Sequence, residues 1–217
     1  ETKIEFINKL SQTGLSVIEA GSFVSPKWVP QMAGTATIFQ KINKHHNTSY
    51  PVLVPNLIGY NRAKDAGCQE IAIFAAASEG FSQKNINCSI QESLQRFEPV
   101  LRAAQQDNIK VRGYVSTVVG CPYDGYVSPE SVAKVSDWLF QNGCYEISLG
   151  DTIGVGTPGP VAQMLDEVLK FVPSEHLAVH RHDTFGQALA NIYVSLRKGS
   201  SVVVSAVAGF GGCPFEG

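Results

Sequence analysis

Short apolar runs recur along the chain with polar residues at their ends. They are Ser16-Val17-Ile18-Glu19, Val52-Leu53-Val54, Ile71-Ala72-Ile73-Phe74, residues 111–115, Tyr145-Glu146-Ile147-Ser148-Leu149, Leu177-Ala178-Val179-His180 and Ser201-Val202-Val203-Val204. Runs of about 4–6 mostly apolar residues fit parallel strands buried on both faces. The intervening spacing predicts helices over 2–13, 91–106, 131–141, 161–171 and 188–198. In the first of these Ile4, Phe6, Ile7 and Leu10 form one stripe. Pro129 after Ser128 and Pro158 after Thr157 mark helix starts, and Gly143 and Gly199 mark stops. Phe6, Phe97, Trp138 and Phe140 lie at helical spacings and are expected in the core.

Alternation of strand and helix implies right-handed βαβ units and a parallel sheet. A doubly wound open sheet and a (β/α)8 barrel both satisfy it. Polar residues near the strand ends decide between them: Glu19, Asn56, Ser78, Ser116, Asp151, His182 with Asp183, and Gly211 with Gly212. A barrel draws its site from most of its strands, whereas an open sheet gathers it at one switch point. The expected class is therefore α/β, a TIM (β/α)8 barrel with about seven strands in this chain. No linker or low-complexity tract divides residues 1–217, so one domain is expected. A barrel takes about 250 residues. The chain opens on a helix and stops just after its last strand, so a first strand and a final helix are expected outside it.

Composition narrows the function classes. Among 217 residues, 44% are hydrophobic and 17% charged, enough for a sizeable core. A net charge of −2 gives no basic surface for nucleic acid or for a membrane. No apolar run approaches the roughly 18 residues of a membrane span. Five cysteines stand singly without a CxxC pair, which fits a reducing compartment.

Candidate chemistry centres on Val179-His180-Arg181-His182-Asp183. Residues i and i+2 of a strand face the same way, about 6.6 Å apart. Both imidazoles can then reach one cation while Arg181 turns away; two histidines in a polar loop are the plainer alternative. Two glycine-flanked loops, Gly120-Cys121-Pro122-Tyr123-Asp124-Gly125 and Gly211-Gly212-Cys213-Pro214, place backbone N–H groups near a thiol. Cys213 there is a candidate general acid or base, against a tight turn with an incidental thiol. Asp151, at a strand tip, could orient a ligand or cap a helix. Glu19, expected buried at the first strand's tip, needs a cation or hydroxyl as partner. Ser22 and Thr152 are candidates for substrate contacts. Lys84 and Asn85, read as a polar loop, could meet an anionic substrate tail or simply face solvent. Residues 154–159 match GxGxxG formally, but Pro158 starts a helix and no acidic residue follows at the required place, so a dinucleotide site is excluded. The glycines could still admit a phosphate or carboxylate.

Together these segments resemble the 3-hydroxy-3-methylglutaryl-CoA (HMG-CoA) lyase family. The likeness rests on SVIEAGSFVSPKWVPQMA (16–33), KNINCSI (84–90), GYVSTVVGCPYDG (113–125), GCYEISLGDTIGVGTPG (143–159), VHRHDTFGQALAN (179–191) and VAGFGGCPF (207–215). The resemblance implies a barrel enzyme that cleaves HMG-CoA to acetyl-CoA and acetoacetate, in leucine breakdown and ketone-body formation. It implies Mg2+ or Mn2+ as cofactor, with His180 and His182 as ligands and Cys213 as the catalytic cysteine. Glu19 and Asp151 match supporting carboxylates, and Lys84 and Asn85 match the segment near the CoA moiety. A homodimer in the mitochondrial matrix, or also in peroxisomes, is implied as well.

The likeness has departures. The family's first strand carries an Arg-Asp pair and its last metal ligand is an asparagine beyond the cysteine loop; neither falls within residues 1–217. Ala206, Phe210 and Phe215 replace the family's commoner Ser, Leu and Tyr. The 217-residue chain alone is therefore expected to be inactive. Two further readings stand beside the lyase: a condensing barrel of the isopropylmalate or homocitrate synthase type, and a truncated, non-catalytic isoform. The first carries an acidic residue where this chain has Gly212-Cys213-Pro214.

Overall fold

The computed structural model describes residues 1–25 and 32–207. The chain divides into two compact units, residues 1–73 with 96–112 and residues 74–95 with 113–217.

The first unit holds α1 (Thr2–Leu10), β1 (Gly21–Ser22), α2 (Thr35–Lys41), β2 (Val52–Leu53) and α3 (Leu57–Asp65). It also holds the opening of β3 (Glu70–Ala76), the end of α5 (Ile90–Gln106) and the opening of β4 (Lys110–Ser116). β1 pairs in parallel with β2, and β2 with β3. The expected strand over 16–19 is extended chain: Val17 makes an isolated parallel bridge to Ser49, and the ladder is regular only at Gly21–Ser22. Helix α3 was not expected. Asn56 starts it by accepting the Gly59 N–H at 2.9 Å, a good N-cap ahead of a segment too polar to show a strong stripe. Tyr60, 1% exposed, anchors α3 through its hydroxyl to Asp107 Oδ2 at 2.6 Å. Lys64 meets the other oxygen at 2.7 Å. These two partners hold the Asp107 carboxyl below its usual range.

The second unit contains α4 (Glu79–Ile86), the hairpin β5 (Gly120–Cys121) and β6 (Gly125–Tyr126), α6 (Pro129–Gln141) and β7 (Glu146–Asp151). α7 (Pro158–Val168), β8 (Leu177–Arg181), α8 (Ala188–Arg197) and β9 (Val202–Val204) follow. β7 and β8 run parallel over five registered pairs, from Ile147 opposite Leu177 to Asp151 opposite Arg181. Ile147, Leu149, Leu177, Ala178 and Val179 are all at most 1% exposed, so both faces of this pair are covered. Each of the Ile, Leu and Val side chains among them contributes roughly 1.5–3 kcal/mol by leaving water. Ser128 caps α6 by accepting the Ser131 N–H, and Pro129 occupies the first turn, as the sequence predicts.

The strand order is β1-β2-β3-β4-β7-β8-β9, following the chain without reversal. A doubly wound sheet reverses its order at a switch point; a barrel does not. The winding is that of an incomplete TIM barrel. Of the four aromatics assigned to the core, only Phe97 is fully buried; Trp138 and Phe140 are half-buried, and Phe6 is 42% exposed. In α6 the core is made instead by Val132, Ala133, Val135 and Leu139.

Candidate active site

The end of β8 brings two histidines to one point, His180 within the strand and His182 just after it. His180 Nε2 and His182 Nε2 lie 2.9 Å apart, with ring centroids at 4.9 Å and planes inclined by 63°. Two nitrogens bound at right angles to one ion, each at about 2.0–2.1 Å, stand about 2.9 Å apart. The pair thus fits two adjacent positions around a single divalent cation. Among the described residues, no group of three or more His, Cys, Asp or Glu gathers to hold a metal.

Arg181, between them, turns to the other face as alternation requires. Its guanidinium donates to the Leu149 carbonyl at 3.3 Å and approaches Ser195 Oγ at 3.5 Å. Burial pushes this group down to about 10, opposed by the charge of Asp151 across the β7–β8 register.

Asp151, fully buried, ends β7. It caps no helix; Thr157 is the N-cap residue of α7. Its Oδ2 accepts the Gly156 N–H at 2.9 Å, and the Gly156 carbonyl accepts from Asn191 Nδ2 at 2.7 Å. Oδ1 has no hydrogen-bond partner among the described residues. A Cβ on Gly156 would stand 2.7 Å from Asp151 Oδ2. Gly154, at φ +66°, brings its backbone against Thr184 and the His182 carbonyl. These glycines therefore admit neighbouring protein rather than a phosphate, and they seat the β7–α7 loop beside the histidines.

Thr152 follows Asp151 and is 7% exposed; its Oγ1 accepts the Thr117 N–H at 2.8 Å. Ser148, which the sequence reading did not select, belongs with it. It is 1% exposed and its hydroxyl has no hydrogen-bond partner among the described residues. Gly150 registers with His180, so alternation puts Ser148 on the histidine face. The polar i, i+2 pattern Ser148-Gly150-Thr152 was the available signal.

Lys84 and Asn85 do not lie in a loop. They occupy the last turns of α4, both exposed, ahead of Asn87 in the left-handed conformation at φ 50°. A helix this polar shows almost no apolar stripe, which is why spacing missed it. Its N-terminus is tied to the β5–β6 hairpin: Gly80 N–H donates to Asp124 Oδ2 at 2.7 Å. The Lys84 ammonium stands 6.0 Å from the Tyr123 ring centroid. Cys121, 3% exposed in that hairpin, accepts the Tyr123 and Asp124 N–H groups on Sγ at 3.4 and 3.3 Å.

In the first unit Glu19 is exposed, not buried. The regular ladder there is two residues long and too short to cover it. Ser22 is 6% exposed; its hydroxyl makes a long contact to the Leu53 carbonyl at 3.4 Å and accepts the Val24 N–H at 3.3 Å. Cys213 lies outside the described residues.

The chain is 60% identical over 215 residues to the cytoplasmic 3-hydroxy-3-methylglutaryl-CoA lyase of Rattus norvegicus, covering 99% of this chain and 63% of the relative. It is 60% identical to the mitochondrial hydroxymethylglutaryl-CoA lyase of Macaca fascicularis, covering 98% and 66%. The chain thus spans slightly under two thirds of the length of these relatives. The crystal structure of hydroxymethylglutaryl-CoA lyase from Pseudomonas aeruginosa superposes with a TM-score of 0.96 at 58% identity, covering 98% of this chain and 71% of that one. The HMGL-like family model matches residues 1–214, and the chain belongs to the HMGL-like family.

Proposed function

We propose that this chain carries the greater part of the site of an HMG-CoA lyase, cleaving HMG-CoA to acetyl-CoA and acetoacetate. The observation that carries the reading is the convergence of His180 and His182 at the end of β8, in a chain 60% identical to named lyases. His180 and His182 would hold a divalent cation, Mg2+ or Mn2+. Such an ion supplies Lewis acidity that lowers the pKa of the substrate's tertiary hydroxyl.

Cys213, as general base, takes the hydroxyl proton, and the oxygen's electron pair forms the ketone of acetoacetate while the adjacent C–C bond breaks. The bond's electrons pass to the thioester as an enolate. Cys213, as general acid, returns a proton to that carbon and yields acetyl-CoA. The buried Asp151 registers with Arg181, on the face away from the histidines, and supports them indirectly by holding the loop that flanks them through the Gly156 N–H. Glu19 is the second supporting carboxylate. Ser22 and Thr152 contribute hydroxyls to the substrate, and Lys84 with Asn85 meets the anionic CoA end.

The proposed assembly is a homodimer, and the proposed compartment is the mitochondrion, after the names of the macaque, chicken and cattle relatives. The corresponding role is in leucine breakdown and ketone-body formation. None of the described helices is long and apolar enough to cross a membrane. The test is acetoacetate release from HMG-CoA with and without a chelator. The assay is made on a polypeptide of the relatives' full length that contains this chain: metal-dependent release supports the reading, and release that survives chelation, or none with Mg2+ or Mn2+ supplied, contradicts it.

A further inference from the structure

Thr117, the first residue after β4, adopts φ +61° and is fully buried. A β-branched residue in the left-handed region is a steric outlier, and such strain costs on the order of 1–3 kcal/mol. The turn carries the Thr117 N–H onto Thr152 Oγ1 at 2.8 Å, while the next amide, Val118, returns to the ladder at the Gly150 carbonyl, 3.1 Å away. Thr117 Oγ1 donates its one proton to the Ser116 carbonyl at 2.6 Å. Ser78 Oγ, 3.0 Å from Thr117 Oγ1, must then be the donor of that pair.

A second local preference is given up at the same place. Ser78 is the N-cap residue of α4 yet makes no hydrogen bond to its own helix. That omission forgoes about 1 kcal/mol of capping. Strained backbone and an unused cap meet at one buried hydroxyl, the pattern that marks functional ground. The outcome is specific: Thr152 Oγ1 is committed as an acceptor from the amide, so its own proton is left to donate.

We propose that Thr117 is a positioning residue for the lyase reaction: its left-handed turn fixes the Thr152 hydroxyl as a hydrogen-bond donor to an oxygen of the acyl substrate. This rests on the lyase reading. The side chain matters because its bonds to Ser116 and Ser78 hold the turn. Valine lacks them and is equally strained there; glycine lacks them but accepts the turn without strain.

The test combines side-chain NMR of Thr152 with steady-state kinetics on HMG-CoA, both on a polypeptide of the relatives' full length that contains this chain. Thr152 should occupy one χ1 rotamer in the wild type and in Thr117→Gly, and should average among rotamers in Thr117→Val. A displacement of about 1 Å can cost about 100-fold, so kcat should fall on the order of 30-fold in Thr117→Val and about 3-fold in Thr117→Gly, with little change in KM. Thr152→Ser should retain more kcat than Thr152→Val. The double variant Thr117→Val/Thr152→Val should lose no more than Thr152→Val alone. A Thr152 rotamer that stays fixed in Thr117→Val overturns the inference, as do equal losses in the valine and glycine variants or losses that multiply in the double variant. A wild type that binds Mn2+ and HMG-CoA without cleaving it refutes the lyase reading instead, and the rotamer measurement then decides the inference alone.

Discussion

Two carboxylates at strand ends, Asp151 and Glu19, have opposite surroundings. Asp151 closes a six-residue strand, is fully buried, and accepts the Gly156 N–H. Glu19 precedes a two-residue strand and is exposed. A long strand covered on both faces orients its last side chain before any ligand arrives. Glu19 lies ahead of the short strand and stays exposed, where a charge acts more weakly than in the interior. The end of β7 is therefore built for preorganisation, and the Glu19 segment is not. Cys213→Ser probes the chemistry that both ends would serve and should have the largest effect: turnover falls on the order of 100- to 10,000-fold with Mn2+ affinity unchanged. Kinetics and metal titration together check it.

The contrast itself is broken by a pair of substitutions. Asp151→Ala leaves the Gly156 N–H without its partner in the interior, at a cost of about 1–3 kcal/mol. Thermal melting should show a drop on the order of 3–10 °C. Glu19→Gln should stay within about 0.5 kcal/mol of the wild type in the same measurement. Any loss of turnover in Glu19→Gln is then a loss of chemistry rather than of structure. Equal destabilisation by the two would remove the distinction drawn here.

The smallest effect concerns thiols. Burial pushes Cys68 and Cys144 up to about 12. Because the folded values are raised, both remain thiols at neutral pH and become nucleophiles only in strong alkali or on unfolding. Mass spectrometry after iodoacetamide at pH 7.5 should find both unmodified in the native protein and both modified in denaturant.

The sequence made the second unit's strands legible because β7 and β8 are apolar on both faces and end in polar residues. His180 and His182 followed from the period of two. The interior of Asp151 was not legible, since its partner Gly156 is held in turn by Asn191, which reaches it only once α8 is packed. Helix α4 escaped because it is polar, and Lys84 was placed in a loop as a result. Glu19 was expected to be buried because four residues with an apolar centre read as a strand, while the chain pairs regularly only from Gly21. The left-handed turn at Thr117 has no local signature at all: threonine is among the residues least suited to it.

The central claim is that His180 and His182 share one divalent ion. Electron spin-echo envelope modulation of bound Mn2+ counts the coordinating imidazole nitrogens directly. The account predicts modulation from two histidines in the wild type and from one in His182→Ala, with weaker binding. A Mn2+ spectrum without nitrogen modulation, or one unaltered by replacing either histidine, would contradict it.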